Sequence, residues 1–172
     1  MPSKHYPFVG PDSLRHLAGI ASERHALQSE AGLRAWVTGS GVRLRRGAQI
    51  TFTFVLLPPE QLFLADRRSE HISCARGHAV LSAGEMTFLF DGTRLLLDEV
   101  TNQSTGYCPE PESWPAVRDA LVSLGLKAPD QFTYAFEFRF CSNCRVTSII
   151  KNQIFECPAC GGELPHDWNY HT

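Results

Sequence analysis

Two Cys-x-x-Cys pairs, Cys141-Ser142-Asn143-Cys144 and Cys157-Pro158-Ala159-Cys160, constrain this 172-residue chain more than any other feature. Each pair presents two thiolates on one tight turn. The twelve residues between the pairs suffice for a strand, a turn and a returning strand. Arg145 to Ile150 and Gln153 to Glu156 flank Lys151-Asn152, so a hairpin is expected to bring the second turn against the first. Four soft ligands in a tetrahedron suit zinc, and four thiolates leave no open coordination position. The expected cofactor is therefore one structural Zn2+ per chain, standing in for a hydrophobic core that about 25 residues cannot build. Gly161-Gly162 frees the backbone to aim amides at sulfur. A redox dithiol comes singly at a helix N-terminus, which disfavours that alternative. The sequence leaves iron open as the metal.

The segment resembles a zinc ribbon. Its cations are Arg145 and Lys151, too few for a surface that tracks phosphates. Structural support or protein docking is expected ahead of nucleic-acid binding. The rest of the chain is compositionally ordinary, with 43% hydrophobic and 20% charged residues and a net charge of -2. Such a balance gives no overall field toward nucleic acid or an acidic membrane. About 140 residues can bury a core of their own. Met1 to Ser13 lacks the apolar stretch of a signal peptide. The run Phe54-Val55-Leu56-Leu57 stops at Pro58-Pro59, far short of the ~20 residues that cross a bilayer. Four of the six cysteines have metal-ligand spacing, and Cys74 and Cys108 are isolated. These features predict a cytoplasmic protein with no membrane partner.

Hydrophobic periodicity sets out the elements. Asp12 or Ser13 caps a short helix through Leu14, Leu17 and Ala18, and residues 22–37 begin as a helix that Gly39-Ser40-Gly41 ends. Residues 50–57 alternate with period two, and Gln61 to Ala65 returns after Pro58-Pro59-Glu60. Val80 to Phe90 and Thr93 to Thr101 flank Asp91-Gly92, the signature of a hairpin with a type I′ turn. Pro111 to Gly125 reads as a helix capped by Ser113, with Trp114, Val117, Leu121 and Leu124 on one stripe. Gln131 to Phe140 reads as a strand whose Phe132, Tyr134, Phe136, Phe138 and Phe140 share a core face. The expected fold class is α+β. A β-rich antiparallel domain over 1–140, with one or two N-terminal helices and one later helix, is followed by the ribbon over 141–172.

Chemical capacity clusters in the centre. If the hairpin closes at Asp91-Gly92, Glu85 lies opposite Val100, and the loop from Asn102 to Cys108 falls near His71 to Ser82. His71 and Glu85 are then candidate acid and base, and Ser73, Asn102, Ser104 and Tyr107 candidate ligand contacts around one polar pocket. Each has a plainer alternative. These are a His71 hydrogen-bonded in a loop, a Glu85 paired with Arg67, Arg68 or Arg76, and an Asn102 and Ser104 that cap their own backbone. Cys74 and Cys108 read by default as buried thiols; a nucleophile beside His71, or a second metal site with His71 and His78, are the sharper options. Arg43, Arg45 and Arg46 form a local basic run, usually a solvated face.

The order His71-Ile72-Ser73-Cys74, Leu81-Ser82-Ala83-Gly84-Glu85 and Asn102-Gln103-Ser104-Thr105-Gly106-Tyr107-Cys108-Pro109 resembles a domain of bacterial polymorphic-toxin and effector proteins and of plant IQ-motif calmodulin-binding proteins. The likeness covers about 40 residues. It departs where the domain has Gly-His-Tyr and this chain has Gly106-Tyr107. It implies a shared fold and site position, in a bacterial setting, without a substrate. The preferred expectation is a cytosolic binding or adaptor protein for a protein partner or small ligand. The alternatives are an enzyme using His71 and Glu85 on a nucleotide-like or protein substrate, and a nucleic-acid-associated ribbon protein.

Overall fold

The computed structural model describes residues 3–170. The fold is α+β. Its elements are β1 (Arg24–Ala26), α1 (Glu30–Gly39), β2 (Gln49–Leu57), β3 (Gln61–Asp66), α2 (His71–Ala75), β4 (Ser82–Phe90), β5 (Leu95–Val100), α3 (Trp114–Ser123), β6 (Phe138–Phe140) and β7 (Thr147–Ile149), with 3-10 helices at Asp12–Gly19 and Pro111–Ser113. The first five strands make one antiparallel sheet in the order β1-β3-β2-β4-β5, and β6 and β7 pair separately.

Strand periodicity divides two cores across the large sheet. Phe52, Phe54 and Leu56 of β2, with Leu62, Leu64, Met86 and Phe88, pack under α1 and α3 against Leu33, Val37, Trp114, Val117 and Leu121. The intervening Val55 and Leu57, with Ala65 and Ala83, pack on the opposite face against Ile72, Cys74, Tyr6, Phe8 and Tyr107. Central strands buried on both faces read as continuous apolar runs, which explains Phe54 to Leu57.

Several local expectations change. Residues 22–37 do not start as a helix. Arg24 to Ala26 extend along β3, and α1 begins only after Ser29, whose Oγ accepts the Gly32 N–H at 3.0 Å. Neither Asp12 nor Ser13 caps the first helix; Pro11 holds that position, and Asp12 instead accepts Arg15 Nε at 2.8 Å. Ser113 holds the N-cap position of α3 as expected, but its side chain makes no capping bond. Its hydroxyl is buried against Ser82 Oγ at 2.9 Å, a cross-link between helix start and β4. The stop at Gly125 holds, with a φ of 75°.

The β4–β5 hairpin closes by a different turn. Phe90 pairs with Leu95, so Asp91 to Arg94 form a four-residue loop in which Asp91 Oδ1 accepts the N–H groups of Thr93 and Arg94 at 2.8 Å each. An irregularity between Thr87 and Phe88 then shifts the register, so Val100 lies opposite Met86 and the Thr101 N–H bonds to Glu85 O.

The segment 131–140 departs most from expectation. Only Phe138–Phe140 is strand. Tyr134 is 56% exposed, whereas Arg139, expected on the solvent face, is 3% exposed. The segment descends beside the end of β5, touching it through the Thr133 N–H to Val100 O and the Thr101–Tyr134 bridge. It is then held by a side chain, Asn102, rather than by a ladder. Period two in the sequence is only a bias; without a neighbouring strand the backbone does not stay extended.

Gly84 is where β4 and the end of β5 come closest. A Cβ there would run into the carbonyl of Thr101 and the Cα of Asn102, both backbone. Gly84→Ala is expected to destabilise the fold by about 1–3 kcal/mol, read as a lower urea midpoint with an unchanged m value.

Candidate functional site

Cys141, Cys144, Cys157 and Cys160 come together with their sulfurs all within 4.8 Å of one another, and could hold a metal ion. Cys141 and Cys160, and likewise Cys144 and Cys157, lie 3.6 Å apart. A tetrahedron with metal–sulfur bonds of ~2.3 Å has edges of about 3.8 Å, so the cluster is close to that size.

The two knuckles share one backbone design. In the first, the Arg145 N–H bonds Cys141 O and the Cys141 N–H bonds Val146 O. In the second, the Gly161 N–H bonds Cys157 O and the Cys157 N–H bonds Gly162 O. The residue after each second cysteine is left-handed, Arg145 at φ 64° and Gly161 at φ 72°. Polar groups also aim at sulfur. Asn143 Nδ2 lies 3.2 Å from Cys160 Sγ and the Gly162 N–H 3.4 Å, while Ser148 Oγ is 3.6 Å from Cys157 Sγ. The Ser148 hydroxyl, with the Ala159 and Cys160 amides, holds the Cys157 thiol below its ordinary value. The Asn143 carboxamide and Gly162 amide lower Cys160 in the same way. Such donors favour thiolate, the form that binds metal.

The expected ribbon hairpin is split. β7 pairs with β6, in register Phe138 to Ile149, and its turn is Asn152-Gln153, both with positive φ. The returning arm leaves β7 after the Lys151–Ile154 bridge and pairs instead with the tail, Glu156 opposite Glu163. The ribbon is also bonded into the β domain. Arg139 donates to His166 O through Nε and Nη2, at 3.1 and 2.7 Å, and its Nη1 lies 3.3 Å from Glu110 Oε1. Trp168 Nε1 donates to Cys108 O at 2.7 Å. Cys108 and Phe138 share a small buried cluster with Tyr170.

The central residues are brought close but not around a cavity. His71 Nε2 donates to Gly84 O at 2.9 Å from the start of α2, and Glu85, the next residue on β4, pairs with Arg67 Nε at 3.2 Å. Burial lowers the His71 pKa, outweighing the Gly84 bond and the nearby Glu70 and Glu85 carboxylates, so the imidazole is held neutral. Asn102 is fully buried. Its Nδ2 donates to Pro109 O and Phe136 O, both at 2.8 Å, and its Oδ1 accepts the Phe136 N–H at 2.7 Å. Tyr107 is buried under Phe8, ring edge to face, and donates to His78 O at 3.0 Å. Ser73 is buried in α2. Ser104 is buried, and its carbonyl accepts the Cys108 N–H. The expected open pocket at residues 71–107 is therefore corrected: Ser73, Asn102, Ser104 and Tyr107 are buried, and Asn102 and Tyr107 fasten the interior through their hydrogen bonds. Cys74 and Cys108 are buried thiols pushed up to about 12 by desolvation, unsuited to nucleophilic work.

The surface concavities lie elsewhere. Trp36, Val42, Ile50 and Phe52, with Arg67 and Arg68 at the rim, line a cleft of about 470 Å³. Arg34, Arg43 and Arg45 line a wider one of about 1120 Å³ beside Phe90. A third, of about 410 Å³, lies in the ribbon and includes Lys151, so the arginine run and Lys151 do not share one surface cleft. Sequence reasoning missed Asn143, Ser148 and Asn169 as supports of the ribbon. The only signal for them was a polar residue in or near the knuckles.

Comparison with family models, curated proteins and solved structures finds no match to this chain.

Two outcomes follow from the central cluster. Asn102→Ala removes three buried hydrogen bonds and should cost about 3 kcal/mol in urea unfolding. His71 binds its proton less readily in the folded than in the unfolded chain, so its contribution is present above the ordinary imidazole pKa of ~6.5 and is lost as pH falls below it. The stability gap between wild type and His71→Gln should narrow as pH is lowered from 7 toward 5, measured by urea unfolding.

Proposed function

We propose that this is a cytoplasmic binding or adaptor protein whose ribbon holds one structural zinc and docks a protein partner. The observation that carries the reading is the closed four-sulfur centre fastened to the β domain through Arg139, Glu110 and Trp168. Such a centre leaves no coordination position for a substrate. Sulfur as the sole donor, and the size of the cluster, favour zinc among divalent metals. The ribbon has little else to hold it together, its own buried cluster being Cys141, Ile150, Cys157 and Leu164.

The central residues support binding over catalysis. His71 is neutral with its Nε2 committed to a carbonyl, and Glu85 is paired with an arginine. Each is thus engaged with a different neighbour and not with the other, which supports a structural role for both. The resemblance of residues 71–109 to toxin and effector domains contributes a proposed common ancestry of fold and no reaction.

Zinc content measured on protein purified without added metal should be one per chain. Removing it with a chelator should release the ribbon, exposing Trp168 and lowering the melting temperature, while the far-ultraviolet signal of the large sheet persists. Cys157→Ser should reproduce both effects. A metal-free chain with unchanged melting would overturn the reading.

A further inference from the structure

The ribbon leaves one strand edge open beside a cleft. We propose that this edge, the outer side of β7, receives an extended peptide of a partner protein as an added β-strand; the proposal names the partner class for the docking role above and rests on it.

The hydrogen-bond register sets which groups are free. The Cys141 N–H bonds Val146 O, and the Ile150 N–H bonds Glu137 O. Antiparallel pairing alternates, so Val146, Ser148 and Ile150 turn their backbone toward β6, and Thr147 and Ile149 turn theirs away. Among the described residues, the N–H and C=O groups of Thr147 and Ile149 have no backbone partner. The opposite edge of the same ribbon is closed. Asn169 imitates a strand there: its Oδ1 accepts the Phe140 N–H at 2.9 Å and its Nδ2 donates to Phe140 O at 2.7 Å. Arg139 Nη1 covers Phe138 O at 2.8 Å. Proteins protect strand edges because unpaired edges recruit other chains. Here one edge is protected and the other is not.

The open edge faces a built cleft. The returning arm, which would normally complete the hairpin, is drawn off by the Leu164 N–H to Phe155 O and the Glu156–Glu163 bridge. Between it and β7 lies the cleft of about 410 Å³. All four consecutive residues from Val146 to Ile149 line it. Successive side chains alternate faces, so a cleft touching all four runs along the strand's edge. Its other wall carries Ile154 and Pro158, and Val146 and Ile154 are 44% and 59% exposed. Strand addition of this kind takes affinity from main-chain bonds and selectivity from apolar contacts beside them. Lys151 and Glu156 at the rim are opposite in charge, so the fitting peptide is apolar and β-prone with no required net charge. Ile154 and Pro158 stand across the cleft from β7, so a strand added at this edge meets apolar side chains on its far side.

The test pans a random heptapeptide display library on the zinc-loaded full chain, then measures one enriched peptide by fluorescence anisotropy. Binding is expected to weaken at least about tenfold in Ile154→Lys, an exposed position whose zinc content and melting should stay unchanged. N-methylation at alternate peptide residues should weaken binding by a similar factor in one register and little in the other. In the free chain the Thr147 and Ile149 amides should exchange with solvent faster than those of Ser148 and Ile150, and become protected by peptide. Equal binding to Ile154→Lys, or insensitivity to N-methylation, overturns the edge while leaving a docking role elsewhere. Protection of the same amides by self-association assigns the edge to a second copy and overturns the proposal. No enriched peptide removes both the edge and its partner class.

Discussion

One buried carboxamide joins the parts of this protein. Asn102 sits just past β5, and its three hydrogen bonds reach Pro109 on one side and both backbone groups of Phe136 on the other. Through it the end of the large sheet, the loop that carries Tyr107 and the segment descending to the ribbon are held in one place. A peptide-like amide removed from water costs several kcal/mol unless its bonds are remade, so a fully buried Asn tolerates little rearrangement around it. Gly84 reinforces the arrangement from β4, since only a residue without a side chain allows the Thr101 carbonyl so near.

The ribbon depends on that attachment as much as on its sulfurs. β7 faces two ways. Ser148 and Ile150 turn to the cysteine cluster, and Ile149 turns to Phe138 and Tyr170 at the junction with the β domain. Arg139 is 3% exposed, an expensive place for a guanidinium unless it is paired and bonded. Glu110 at 3.3 Å and Glu137 at 3.7 Å supply the charge, and the His166 and Phe138 carbonyls accept its N–H groups. Glu110 also reaches Lys4 at 3.0 Å, which draws the N-terminal segment into the same junction. The ribbon is consequently an extension of the domain, and a boundary at residue 140 falls between β6 and the first knuckle.

This construction bears on function. Chemical side chains that look convergent in a sequence can converge to fasten a fold. His71, Asn102 and Tyr107 all donate to backbone carbonyls, and Asn102 and Tyr107 are withdrawn from solvent in doing so. The accessible concavities are bordered by different residues, Trp36 and Arg67 in one and Arg43 and Arg45 in another. Recognition is therefore left to surfaces, among them the open side of β7 beside its cleft.

Local signals settled the parts that are local. The spacing of Cys141, Cys144, Cys157 and Cys160 determined the tetrad, because a metal-sized cluster can be assembled from two turns and one short reversal. The alternation read through residues 50–57 determined β2, and the stripe from Trp114 to Leu121 determined α3, because a buried face imposes its period on the chain. Only the tertiary structure decided what lacks a period. It turned 131–137 into a tethered descent, although its aromatic residues alternate, since backbone pairing with the end of β5 is limited to one bridge and no ladder forms. It moved Arg139 inside because Glu110, distant in sequence, waits there. And it made Asn102 and Tyr107 internal fasteners rather than ligand contacts: the same donor can serve a substrate or a carbonyl, and which one it meets is fixed by elements that the sequence places far apart.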